Sequence, residues 1–126
     1  MIKGFEKQTQ PLTDFELSLI PKFVDGFNQR IGKKNAITNA EIRRRFMSVL
    51  GIKLSDARIR KIVNYIRNKH LVSVLLASSK GYWVSKDEKE INDWVTTMEK
   101  RIGSMKSTLN SVMRQQMILT QQTLIL

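Results

Sequence analysis

The chain has 126 residues, of which 41% are hydrophobic and 26% charged, enough for one domain with an appended helix. It has no cysteine, which excludes disulfides and thiolate metal sites, and its formal net charge is +11. No apolar run approaches a membrane span, and "MIKGFEKQTQ" lacks the apolar middle of a secretion signal, so a cytoplasmic protein without membrane contact is expected.

Residues 1–11 read as a flexible N-terminal arm. Thr13-Asp14-Phe15-Glu16 is then a capping box, in which the Thr13 hydroxyl and the Glu16 carboxylate satisfy each other's backbone N–H groups. Phe15, Leu19, Phe23, Phe27 and Ile31, with Ile20 and Val24 beside them, recur at helical spacing. Pro21 predicts a kink or two short helices, and Gly32 is expected just past the helix end. Thr38 to Glu41 repeats the capping pattern, with Ile37 and Ile42 as a hydrophobic staple. Ile42, Phe46, Val49 and Leu50 form the expected buried stripe of this second helix, and Gly51 stops it. Ser55 caps a third helix, with Leu54 and Ile59 at its staple positions. Leu71 to Ala77 reads as a strand, Ser78 to Gly81 as a tight turn and Tyr82 to Val84 as a returning strand. Tyr82 and Trp83 are expected to join the core rather than to stack on bases. Ser85 to Glu88 makes another capping box and opens a long last helix.

The fold class expected is mainly α with a small β-hairpin and a long, coiled-coil-like C-terminal helix. The turn Gly51–Leu54 has helix-turn-helix length, and a hairpin directly after the third helix has the place of a wing. Through "AITNAEIRRRF", "SDARIRKIVNYIR" and "SSKGYWV", residues 12–100 resemble the winged helix-turn-helix superfamily, in particular small phage or mobile-element proteins of that kind. The resemblance implies a DNA-binding domain over 12–100, whereas 101–126 are read as an oligomerisation extension from their apolar spacing. It also implies that Lys80, at the wing tip, lies along a groove.

The charge is segregated. Residues 29–70 hold twelve Lys or Arg against Glu41 and Asp56, whereas the rest of the chain holds ten basic and nine acidic groups. Such clustering is the footprint of a polyanion partner. Within "SDARIRKIVNYIRNKH", residues 55–70, a turn of 100° per residue puts Ile59, Ile62, Val63 and Ile66 on one stripe. Ala57, Lys61, Asn64 and Asn68 occupy the opposite pole. Asparagine matches an adenine edge, lysine matches guanine O6 and N7, and alanine can meet a thymine methyl, so these four are the candidate base readers. Arg58, Arg60 and Tyr65 flank them as candidate phosphate contacts. Lys33, Lys34, Arg43, Arg44 and Lys80 complete that set, although Arg43, Arg44 and Arg45, being consecutive, cannot share one face.

Ile91, Val95, Met98, Ile102, Met105, Leu109 and Val112 recur at 4,3 spacing, which reads as a coiled-coil seam joining two copies. Its start, through Ile91, Trp94 and Met98, is expected to pack on its own domain. Methionines, Gln116 and the facing like charges of Arg101 and Lys106 in a parallel pair weaken its specification, so parallel and antiparallel dimers both stand. The uncharged tail "ILTQQTLIL" suits fraying, partner contact or a membrane surface equally.

Catalysis is not expected. His70 is the only histidine, and no metal-ligand spacing or glycine-rich phosphate loop occurs. Asp87, Glu88, Glu90 and Asp93 suit the dipole of a helix start. No cofactor is implied. The reading is a homodimeric, nucleoid-associated protein, or one acting in a host cytoplasm if phage-borne, that binds double-stranded DNA and regulates transcription through helix 55–69 in the major groove. The alternative is a phage-type assembly, structural or packaging protein whose basic face meets protein or nucleic acid without sequence preference.

Overall fold

The computed structural model describes residues 10–124; most of the expected N-terminal arm, residues 1–9, and the last two residues lie outside it. The elements are α1 (Asp14–Asn28), a 3₁₀ turn (Lys33–Asn35), α2 (Asn39–Leu50), α3 (Asp56–Asn68), β1 (Leu75–Ser78), β2 (Gly81–Val84) and α4 (Glu88–Leu124). The protein is thus mainly helical, with one antiparallel hairpin and a long C-terminal helix. It divides after Glu88 into two compact units.

In the first unit the helix starts follow the local chemistry. Thr13 caps α1 through a complete capping box, Glu16 N–H to Thr13 Oγ1 at 3.1 Å and Thr13 N–H to a Glu16 carboxylate oxygen at 2.9 Å. Thr38 and Ser55 cap α2 and α3 in the same way from one side only, accepting from Glu41 N–H and Arg58 N–H. Gly51 ends α2 in the left-handed conformation, φ 64°, where a side chain would be strained. Both staple pairs, Ile37 with Ile42 and Leu54 with Ile59, are buried.

The core gathers Leu19, Ile20, Phe23 and Phe27 of α1 against Ile59, Ile62, Val63 and Ile66 of α3, and the hairpin closes it with Leu75, Tyr82 and Val84. Burying each such side chain contributes about 2 kcal/mol, so the isoleucine stripe of α3 is what fixes the helix's outward face. Phe23 stacks on Phe46 at 4.9 Å, and Phe27 meets Tyr82 edge-on at 5.7 Å. Trp83 and Leu76, paired across the hairpin on its second face, are buried too.

Several expectations are corrected. Pro21 lies inside one helix rather than between two short ones, and that helix ends at Asn28, before Gly32. Of the apolar stripe on α2, Ile42 is buried and Phe46 partly so, but Val49 is 75% and Leu50 44% exposed. The strand begins at Leu75 rather than Leu71, because positive φ angles at His70 (55°) and Val74 (52°) break extended pairing between them. At the last helix, Ser85 Oγ accepts from Asp87 N–H at 3.4 Å, a local turn, and α4 opens at Glu88 instead of taking Ser85 as its cap.

One feature had no sequence signal. The connector 30–37 runs along the free edge of β2: Val84 N–H donates to Arg30 O at 2.7 Å and Gly32 N–H to Val84 O at 2.9 Å. Ile37 and Tyr82 exchange both backbone hydrogen bonds, at 2.9 and 2.8 Å. Gly81 makes this approach possible. With φ +113°, it lies so close that a Cβ would stand 2.3 Å from Ile37 O.

The second unit is the remainder of α4, a helix of 37 residues in all and about 55 Å long at 1.5 Å per residue. Val95, Ile102, Met105, Leu109 and Val112 of the 4,3 stripe are exposed along it, as are Met117, Ile118 and Leu119. No helix among the described residues is long and apolar enough to cross a membrane.

Candidate nucleic-acid interface

The basic segment spans α2, the turn Gly51–Ser55 and α3, and the structure divides its cations by use. Arg58 is internal. Its Nε donates to Glu16 Oε2 at 2.7 Å and its Nη2 to Glu16 Oε1 at 2.5 Å, while Nη1 and Nη2 reach Gln10 O and Pro11 O at 3.0 Å each. Only 14% of its side chain is exposed. The Arg58 hydrogen bonds hold the Glu16 carboxyl down to about 2, against the opposing effect of burial, and Glu16 in turn raises Arg58. Four hydrogen bonds to one carboxylate and two carbonyls leave Arg58 little to offer a phosphate, so it is removed from the candidate contacts.

Arg67 is internal as well. Its Nε donates to Leu75 O at 2.9 Å, which ties the end of α3 to the first strand, and burial lowers its pKa. Burial raises the Tyr82 hydroxyl nearby, opposed by a hydrogen bond with the Asn39 side chain and by the charges of Arg60 and Arg67. Tyr65 is partly buried against the core, with Lys69 Nζ 5.9 Å above its ring.

The remaining candidates lie outward. On α3, Arg60, Asn64 and Asn68 are exposed, and Ala57 and Lys61 half-exposed, opposite four isoleucine and valine side chains that are at most 1% exposed. The helical split expected from the sequence is therefore the split observed. Arg43 pairs with Asp56 at 2.8 Å, which locks α2 to the first turn of α3, yet it stays nearly half exposed. Arg44, 74% exposed, makes only a 3.7 Å contact with Glu41, which pairs more closely with Arg45 at 3.1 Å. Lys34 and Lys80 are exposed, and Lys33 Nζ lies 5.9 Å over the Trp83 ring.

The structure brings together one group that the sequence reading missed. Arg43, Arg44 and Lys53 line a shallow depression of about 310 Å³, floored by Ala40, Met47 and Leu54, on the outside of α2 and the turn. Lys53 was overlooked because a single lysine in a turn carries no periodicity. Its place in the short turn between α2 and α3 was the available signal. Among the described residues no cluster of His, Asp or Glu is arranged to hold a metal ion. No protein family, curated protein or solved structure matches the chain.

Proposed function

We propose that the chain is a winged-helix protein that binds double-stranded DNA as a dimer and regulates transcription. The observation that carries this reading is the two-sided α3, isoleucine core on one side and Lys61, Asn64 and Asn68 with Arg60 on the other, inside the segment that holds nearly all the excess charge. Such a helix can seat in a major groove only if its polar side is open, and here Arg60, Asn64 and Asn68 are exposed, with Ala57 and Lys61 half-exposed. Lys61, Asn64, Asn68 and Ala57 would face base edges. Arg60, Arg43, Arg44 and Lys53 would hold backbone phosphates on either side, with Lys33, Lys34 and the wing-tip Lys80 reaching further along the duplex. The exposed 4,3 stripe of α4 supports pairing of two copies, which would present two copies of α3 to two half-sites.

The test is fluorescence anisotropy with random and selected duplexes at several salt concentrations. Steep salt dependence with a selected site bound at least ~10³-fold tighter than random duplex is expected. Salt-sensitive binding without preference would favour the packaging or architectural alternative, and no binding at low salt would end the DNA reading.

A further inference from the structure

The C-terminal half of α1 and the length of α2 border an open cleft of about 320 Å³. Its floor is apolar, with Phe23, Phe27, Ile42 and the Phe46 ring. Its lip is formed by Val49 and Leu50, the two residues whose place in the helical pattern marks them for burial and which the fold leaves exposed. An apolar lining of this size is in the range of small-ligand sites. The charged residues lining the cleft are all cations, Lys22, Arg30 and Arg45. Arg45 is engaged by Glu41, but neither Lys22 nor Arg30 forms an ion pair among the described residues.

We propose that this cleft binds a small anionic amphiphile: an apolar body that covers Phe46 and Val49, carrying one acidic group at the rim that Lys22 and Arg30 make cationic. Three features choose this occupant. The volume lies at the small end of the range for ligand sites, which suits a single chain rather than a bulky ligand. The cationic rim favours an anion over a cation or a neutral chain. The chain's own exposed apolar segment is a poor fit, because residues 102–124 carry Lys106 and Arg114 and no acid, so a second copy would bring like charge to that rim. The site is separate from the outward face of α3, and its ligand binding does not depend on the DNA reading.

The experiment titrates the full chain with decanoate, decyltrimethylammonium and acetate, below micelle-forming concentrations, following amide resonances by two-dimensional NMR. Decanoate should bind saturably with one molecule per chain and shift Gly26, Phe46 and Val49, and the cationic amphiphile should bind at least ~10-fold more weakly. Val49→Glu, at an exposed position that folding does not need, should weaken decanoate ~10-fold or more, and Lys22→Glu with Arg30→Glu should remove the preference for the anion. Absence of saturable binding, equal binding of both amphiphiles, or the same shifts with acetate would overturn the proposal. So would a change of oligomeric state in Val49→Glu, seen by sedimentation, without any decanoate effect in the parent chain, which would assign the cleft to a second copy.

Discussion

The Arg58 guanidinium and the Glu16 carboxylate meet in a two-point ion pair, 2.7 and 2.5 Å, that joins the first turn of α3 to the first turn of α1. The same carboxylate closes the α1 capping box, so one side chain serves a helix start and a tertiary contact together. Its folded-state carboxyl titrates at about 2 against an ordinary 4.5, so between those values the unfolded chain holds the proton more tightly. The stability from this pair is therefore complete above about pH 4.5 and is lost as pH falls toward about 2. It amounts to on the order of 1–3 kcal/mol. Thermal melts from pH 6 to pH 2 should show this loss, and Glu16→Gln should flatten that part of the curve while lowering Tm at pH 7. An unchanged acid limb in Glu16→Gln would show that other carboxylates govern it.

Gly81→Ala should destabilise the first unit by more than about 2 kcal/mol, since the new methyl would need the Ile37 carbonyl to move and would hold an L residue at positive φ. Urea unfolding would measure it. A cost below about 0.5 kcal/mol would mean that the connector along β2 yields freely.

Val74 works in the opposite sense. A β-branched residue at φ 52° is strained, and its side chain is more than a third exposed, so little packing is lost by replacing it. Val74→Asn should raise stability by about 1 kcal/mol, readable as a higher Tm. A lower Tm would show that the methyl groups of Val74 matter more than its backbone.

The arginines of α3 should separate by assay. Arg60→Ala should weaken binding to all duplexes alike and lower the salt slope by about 1, whereas Lys61→Ala and Asn64→Ala should narrow the gap between selected and random sites. Arg58→Ala should instead lower Tm, with DNA affinity changing only through folding. A normal Tm with a reduced salt slope in Arg58→Ala would restore it to the phosphate contacts.

Paired changes Met105→Glu and Leu109→Glu on the exposed stripe of α4 should yield a monomer by sedimentation equilibrium while leaving the melting of the first unit unchanged. A parent chain that is already monomeric at tens of micromolar would remove the dimer from the proposed function.

Much of the first unit was legible because its signals are local. Thr13, Thr38 and Ser55 cap helices through bonds three residues away, and the period of Ile59, Ile62, Val63 and Ile66 settles which side of α3 is buried. What escaped was non-local. Arg58 and Glu16 are 42 positions apart, so nothing in "SDARIR" shows that one of its arginines is already taken. The contact of Ile37 with Tyr82 depends on how the connector is routed, and Lys53 joins Arg43 and Arg44 only when the turn closes. Val49 and Leu50 illustrate another limit, since helical phase names the side a residue takes but not whether anything packs there.

The connector along β2 has a consequence for strand pairing between molecules. On one side of the hairpin, Arg30, Gly32 and Ile37 already occupy backbone groups of Tyr82 and Val84; on the other, the Arg67 guanidinium occupies the carbonyl of Leu75. A strand from another molecule would have to displace the connector before it could pair with β2, and on the β1 side it would meet the Arg67 guanidinium at Leu75.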